Sequence, residues 1–405
     1  MRDYASEILA HPDDPYPVYD ALRAADPVHR SATWKCWVLS RHREVSAVLL
    51  NPREFSSRGR VTNVIQREFP EHFLEQLKPM FNHYSRGIIN LDPPDHTRLR
   101  KLLQKTFLPK TLERLAPAIL ASVVELLDAA EARGSVDLVA DLAYPLPVSV
   151  ISDLLGVPRE DRDKFKRWSQ IIMEFQAVPL PTAESILRSQ QGIVELRDYL
   201  GHVLRQRQAD PRDDLISELA HSEFEGDRLS DDELLSTSLT LLVAGHETTT
   251  NLIGSAVWLL LRHPESLAAW RADPGLMPGL IEEVLRFESP LHRVGRTALA
   301  DVEIDGHRIA RGETVFLLLA AANRDPAQFP DPHVFNPRRS PNKHIAFGHG
   351  IHFCLGAALA RLEAPIALRE IFRRWPQARL RDEPLHWHSG VMRGLKTLPV
   401  EPGAC

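Results

Sequence analysis

The chain has 405 residues, 43% hydrophobic and 25% charged, with a formal net charge of −5. That composition supports a large buried core, and the acidic balance argues against a general nucleic-acid binder. Three cysteines, Cys36, Cys354 and Cys405, are too few for a disulfide framework and lack zinc or C-x-x-C-H spacing, so a reducing, cytoplasmic setting is expected. No Gly/Ser linker, low-complexity tract or repeat divides the sequence, so one domain over residues 1–405 is expected. The N-terminus is charged and broken by prolines. It reads neither as a signal peptide nor as an apolar span of about 20 residues, so a protein outside the membrane is expected.

Tyr16–Ala25 reads as a first helix, ended before Asp26-Pro27. Trp34–Leu39 is strand-like, and His42–Leu50 returns to helical spacing. Residues 58–89 have weak periodicity and several breakers, which predicts a mobile loop of the kind that often carries function. Asp92-Pro93-Pro94 opens a helix running to about Phe107, with proline near the first turn. Helical patterns recur at Leu112–Ala132, Pro145–Leu155, Arg159–Phe175 and Ala183–Arg207. The clearest helix is Ser230–Arg262. It starts with a capping box, Ser230-x-x-Glu233, and is then apolar for most of its length. It spans roughly 50 Å at 1.5 Å per residue, and a helix apolar all round belongs at the centre of a fold. His263–Ala272 and Met277–Phe287 are further helices. Val302–Ile304 and His307–Ile309 flank Asp305-Gly306 and read as a hairpin. Val315–Ala321 is an apolar strand, and the proline-crowded stretch 323–342 is an irregular loop. The fold class is mainly α with a smaller β region.

The stretch from Phe347 to Glu363, FGHGIHFCLGAALARLE, is the most telling. Cys354 ends a Gly/His-rich loop, directly before a run of helical spacing. A thiolate at a helix start is stabilised by backbone N–H groups and the helix dipole. Gly348, Gly350 and Gly356 let backbone or a flat ligand approach the sulfur. A thiolate held so suits an axial ligand to haem iron; an inert cysteine in a buried turn is the plainer alternative.

Within the long helix, Ala244-Gly245-His246-Glu247-Thr248-Thr249 breaks the apolar run. Gly245 costs about 1 kcal/mol relative to Ala. Mid-helix threonines can bond back one turn and bend the helix. A buried acid beside an alcohol is costly unless something uses it. The segment is either a kinked core helix with internally satisfied polar groups or an oxygen pocket. Glu283 and Arg286 stand at i, i+3 and can pair. His96 and Arg100 stand at i, i+4, beside Arg98 and Lys101; they form an ordinary polar face or two donors for one carboxylate.

The pattern F-G-x-G-x-H-x-C-x-G resembles the haem-binding loop of the cytochrome P450 family. Phe347, Gly348, Gly350, His352, Cys354 and Gly356 fill its positions, and Ala360 follows as in the family's next helix. Ala244-Gly245-x-Glu247-Thr248 resembles the family's oxygen-activation motif. Glu283 and Arg286, with Arg339, resemble its structural triad. His96, Arg100, Arg296 and His352 resemble its propionate contacts, and 322–326 its turn into the irregular loop.

The resemblance covers nearly the whole chain. It implies the cytochrome P450 fold, with haem b (iron protoporphyrin IX) between the long helix and the Cys354 loop. Cys354 is then the metal ligand. His96, Arg100, Ala244, Arg296, Phe347, Gly348, His352 and Gly356 contact the cofactor, and Thr248 and Glu247 manage protons. The implied reaction puts one atom of O2 into a lipophilic small molecule, by hydroxylation or epoxidation, and reduces the other to water. No flavin, nicotinamide or iron–sulfur fingerprint occurs, so electrons come from outside. A ferredoxin with its reductase is expected, docking at Arg98 and Lys101 of a monomer. Implied substrate contacts are Leu241, Leu242, Leu291, Arg293, Val294 and Val391. Arg293 either meets a substrate carboxylate or is structural. A peroxide-driven enzyme, a non-catalytic haem protein and a cysteine hydrolase are the rival readings.

Overall fold

The computed structural model describes residues 2–403 except 60, 178–180, 224–225 and 389. Cys405 lies outside the described residues.

The axis of the molecule is the helix Asp231–Arg262. Both halves of its capping box form: Ser230 N–H donates to Glu233 Oε2 (2.9 Å) and Glu233 N–H to Ser230 Oγ (3.3 Å). Asp231, Asp232 and Glu233 in its first turn complement the helix dipole. Two cores divide this helix between them. Its first half, with Leu234, Leu239, Leu242 and Val243, packs with Ile186, Ile193 and Leu196 of helix Ala183–Ala209 and with Phe165 and Ile172 of helix Arg162–Ala177. Its second half, with Leu252, Ile253, Ala256 and Leu260, packs with Ala364, Ala367 and Leu368 of helix Ala357–Arg374 and with Ile119 and Val123 of helix Ala116–Arg133. The polar stretch 244–251 falls at the junction.

A five-stranded sheet runs Val28–Ser31, Cys36–Leu39, Thr314–Leu318, Arg293–Ala298, Phe55–Ser56. Its pairings are antiparallel except Cys36–Leu39 with Thr314–Leu318. One face packs Cys36, Val38 and Leu318 under the N-terminal helices, and the other packs Leu39, Val315 and Leu317 against Val45, Val48 and Leu49. The expected hairpin forms, with positive φ at Asp305 (51°) and Gly306 (78°), as a tight two-residue turn requires.

The structure departs from the sequence reading in four places. Residues 58–89 are not an irregular loop but carry three short helices, Thr62–Glu68, Glu71–Gln76 and Lys78–Arg86. Gly59, Pro70 and Pro79 punctuate them, so none is long enough to show a period. The strand expected from Trp34 starts at Cys36, because Lys35 has φ 51° in the turn from Val28–Ser31. The apolar run 315–321 leaves the sheet at Leu318 and makes one helical turn, Leu319–Ala322; a run buried on both sides has no alternation to mark that change. Strand Arg293–Ala298 was not expected as a strand.

The Glu283–Arg286 pair is fully buried. Both side chains have 0% exposure, and Arg286 Nε donates to Glu283 Oε2 at 2.8 Å. Arg286 also donates to the carbonyls of Asn323, Pro332 and Val334, and Arg339 Nε donates to Glu283 Oε1 (3.2 Å). These bonds hold the proline-rich loop against helix Met277–Phe287. That loop leads directly to the Cys354 turn.

Candidate active site

Cys354 is held by loop geometry that sequence alone could suggest but not fix. Its N–H donates to the Phe347 carbonyl (2.9 Å), and Gly348 N–H donates to Ile345 O (2.9 Å). Gly348 and Gly350 take φ 73° and 72°, in the left-handed region. A Cβ at Gly350 would lie 2.6 Å from the Leu49 carbonyl, so only glycine fits there. Gly356 caps helix Ala357–Arg374, and nothing lies within 4 Å of where its Cβ would be.

The thiol is free and borders a cavity of about 300 Å³. Burial pushes its pKa up; the N–H groups of Gly356 and Ala357 and the charges of Arg100 and Arg361 oppose this. The expected lowering by the helix start is therefore present as a force but does not prevail in the protein alone.

Across the cavity stand Ala244, Gly245, Thr248 and Thr249 of the long helix. Thr248 Oγ1 donates to Ala244 O (3.1 Å) and Thr249 Oγ1 to Gly245 O (3.2 Å). The helix is assigned without a break through this segment. The small residues at 244 and 245 leave room on the cavity side. Glu247 does not border the cavity; burial pushes its carboxyl pKa up.

His96, Arg100, Arg296 and His352, from three separate parts of the chain, border the same cavity. His96 is 2% exposed, and neither ring nitrogen has a hydrogen-bond partner among the described residues. Its ring lies 4.3 Å from that of His352, and burial with the nearby Arg100 charge pushes its pKa down to about 4. Burial likewise lowers Arg100. The partly buried Arg100 guanidinium and an orphaned buried imidazole cost free energy unless an anion meets them. An apolar slot with a thiol on one wall, glycine beneath and cations at the rim fits a flat apolar ligand bearing carboxylates.

Leu241, Leu291, Val294, Val391 and Phe347 border the cavity as expected. Leu242 does not. It is 2% exposed and packs in the core, one residue round the helix from Leu241. Arg293 touches the cavity edge, but its guanidinium lies over Trp34 (4.9 Å) and Phe316 (5.4 Å), with Cys36 and Tyr19 nearby. Strand alternation puts Val294 and Arg296 on the cavity face and Arg293 on the other. Arg98 bonds Asp227 (3.1 Å) and Glu233, tying its helix to the start of the long helix instead of facing outward. Lining residues that the sequence reading missed include Asn90, Phe107, Ile172 and Met173; His83 and Tyr84 fall in the stretch 58–89 expected to carry function, without being singled out there. His83 is 3% exposed with Nδ1 unpartnered.

A Cytochrome P450 family profile matches residues 35–273 and 275–389. The chain belongs to the cytochrome P450 family. It is 42% identical over 387 residues to Cytochrome P450 107B1 of Saccharopolyspora erythraea, covering 94% of this chain and 93% of that protein. It is also 42% identical to the monooxygenase PikC of Streptomyces venezuelae, over 96% and 91% of the two chains. Among solved structures it resembles P450BioI in complex with acyl carrier protein ligated to hexadec-9Z-enoic acid. The TM-score is 0.89 at 36% identity, over 96% of this chain and 99% of that one. This P450 is thus an oxidoreductase of the haem-thiolate monooxygenase class, served by an external electron donor. Among the described residues no helix is long and apolar enough to cross a membrane.

Proposed function

We propose that this P450 binds haem b in the cavity, with Cys354 as axial ligand and His96, Arg100, Arg296 and His352 around the propionates. The observation that carries this is His96: a 2% exposed imidazole with both nitrogens unpartnered, on the cavity wall beside two arginines. Thiolate-ligated haem supplies the O2 chemistry. The protein's residues position, protonate and exclude water. Thr248 presents its hydroxyl to the cavity, and Glu247 stands behind it as the acid. Ala244, Phe347, Gly348 and Gly356 leave room for a flat ring system. Glu283, Arg286 and Arg339 are scaffold.

The substrate is lipophilic, because Phe107, Ile151, Ile172, Met173, Leu241 and Leu291 dominate the wall away from Cys354. It carries an oxygen at the end that meets His83. The acyl chain of the P450BioI complex is one such apolar molecule. Arg293 is a packing residue, stacked on Trp34 and Phe316. Hydroxylation or epoxidation uses electrons from a ferredoxin and its reductase, in the cytoplasm, by a monomer of one domain. The Glu247–Thr248 pair favours O2 over peroxide, which would not need a delivered proton.

The test is spectroscopic. The reduced carbon monoxide complex should show the red-shifted Soret band of thiolate ligation. Cys354→Ser should lose it, and Cys36→Ser should keep it. A band that survives Cys354→Ser would overturn the ligand assignment.

A further inference from the structure

We propose that His246 and Tyr144 form a holding site for the protonated carboxyl of Glu247, a reserve from which the cavity at Thr248 is supplied. The inference rests on the proposed roles of Glu247 and Thr248.

The geometry begins with His246. It is 1% exposed, and its Nδ1 lies 2.8 Å from the carbonyl of Leu242. A carbonyl only accepts, so Nδ1 carries the proton and Nε2 is left as an acceptor. Nε2 is buried and has no hydrogen-bond partner among the described residues. Glu247 Oε2 stands 3.9 Å away. That is too long for a hydrogen bond, so the proposed contact requires a small rotation of the Glu247 side chain. Burial pushes the Glu247 carboxyl up and the His246 imidazole down, so it favours the neutral form of each. A neutral acid needs an acceptor, and the imidazole offers one.

The far side is closed by Tyr144. Its ring meets that of His246 edge-on, 5.8 Å between centroids at 84°. Its hydroxyl is buried and also lacks a partner among the described residues. Beyond it, the ammonium of exposed Lys166 lies 4.6 Å from the Tyr144 centroid, and the exposed Asp163 carboxylate acts on the same phenol. Among the described residues these are the charged groups that act on Tyr144 besides Glu247. Two orphaned polar atoms cost about 1–3 kcal/mol each. One sits on the central helix next to the acid and the other just before helix Pro145–Leu154, packed against it.

The proton balance is simple. Glu247 releases one proton toward Thr248 and becomes a carboxylate. Solvent returns one proton to the carboxylate, and the neutral acid settles back on His246 Nε2. His246 ends each cycle neutral. It touches neither substrate nor cofactor, so it is a positioning residue.

The test reads Glu247 directly, without turnover. Infrared difference spectra of the resting holoprotein should contain a protonated carboxyl band that Glu247→Gln abolishes. In His246→Leu the band should move to higher frequency, because its acceptor is gone. In His246→Gln, whose amide oxygen can accept, it should stay near the parent position. Tyr144→Phe removes one hydroxyl only and should sharpen or shift the band slightly, which covers the case in which His246→Leu does not fold. In turnover, His246→Leu should lower product per reductant several-fold and raise the solvent isotope effect, and His246→Gln should recover part of both. An identical band in parent, His246→Leu and Tyr144→Phe would overturn the holding site, as would its absence in the parent. A responsive band together with unchanged coupling in Thr248→Ala would overturn only the proposed role of Thr248.

Discussion

Thr248 faces the cavity with its hydroxyl donated back to Ala244, so its lone pairs remain open to a ligand in front of it. Removing it takes away a positioned polar group and leaves the fold alone. Thr248→Ala should bind haem and substrate as before, yet divert most reductant to peroxide. Acid–base assistance is typically worth about 10²–10⁴-fold, so product per reductant measured by chromatography should fall at least several-fold. His83 makes the opposite case, a residue no motif announces. Burial, with the charge of Arg197, pushes its pKa down to about 4, so it is a neutral imidazole at pH 7. A hydrogen bond to it is worth about 0.5–1.5 kcal/mol. His83→Phe should weaken an alcohol or ketone ligand by roughly 2- to 10-fold in Soret-shift titrations, and the matching hydrocarbon hardly at all. Equal losses for both ligands would make His83 a packing residue. Thr248 was legible because an alcohol and an acid in an apolar helix ask for an explanation. His83 was not, because helix Lys78–Arg86 spans nine residues between breakers and shows no face until it is packed.

At the scale of elements, the buried Glu283–Arg286 pair shows how a weak motif becomes strong in context. E-x-x-R spacing says only that two charges can meet. What raises their worth is the loop carbonyls that Arg286 gathers and the Asn336 N–H that donates to Glu283 (2.9 Å). Breaking a buried pair on one side typically costs about 3–5 kcal/mol. Glu283→Ala should therefore lose haem and unfold at lower denaturant concentration, although neither residue borders the cavity. The helix after Cys354 carries a second buried acid with no such compensation. Glu363 is 1% exposed, its Oε2 lacks a partner, and burial alone raises its pKa to about 8. The folded state thus holds a proton that the unfolded state has released above the ordinary glutamate range. This contribution to stability is full below that range and is lost as pH rises toward 8. Glu363→Gln should match the parent near pH 5 and exceed it in denaturant midpoint near pH 8, with the gap growing between; a constant gap would contradict a buried neutral acid. Strand Arg293–Ala298 was hidden for a related reason. Its two arginines are buried on opposite faces, one stacked on aromatics and one toward the cavity, and charged residues mask the alternation that marks a strand.

At the scale of the whole molecule, the long helix was readable as the centre, and the Cys354 loop as a segment that meets it across the cavity. The pairing of two cores along that helix was not, because it depends on contacts between segments far apart in sequence. The same limit hid the partners of Arg98. Arg98 looks like an exposed cation in sequence, but Asp227 and Glu233, brought from the start of the long helix, consume it. Its helix Asp95–Leu103 still presents exposed Lys101, with exposed Lys105 just beyond, on the segment that carries His96 and Arg100 to the cavity. In a chain of net charge −5, such cations are a local reversal that can steer an acidic electron donor. Charge reversal at both lysines should slow reduction by an acidic ferredoxin several-fold at low salt, with the difference fading as salt approaches the screening regime. Arg98→Ala should behave differently: it frees a helix contact, so it should lower thermal stability and haem retention while leaving the salt dependence of reduction unchanged. Stopped-flow reduction over a range of ionic strengths separates the two. If Arg98→Ala flattens the salt dependence and the lysine reversals do not, the donor approaches from the side of the long helix's first turn instead.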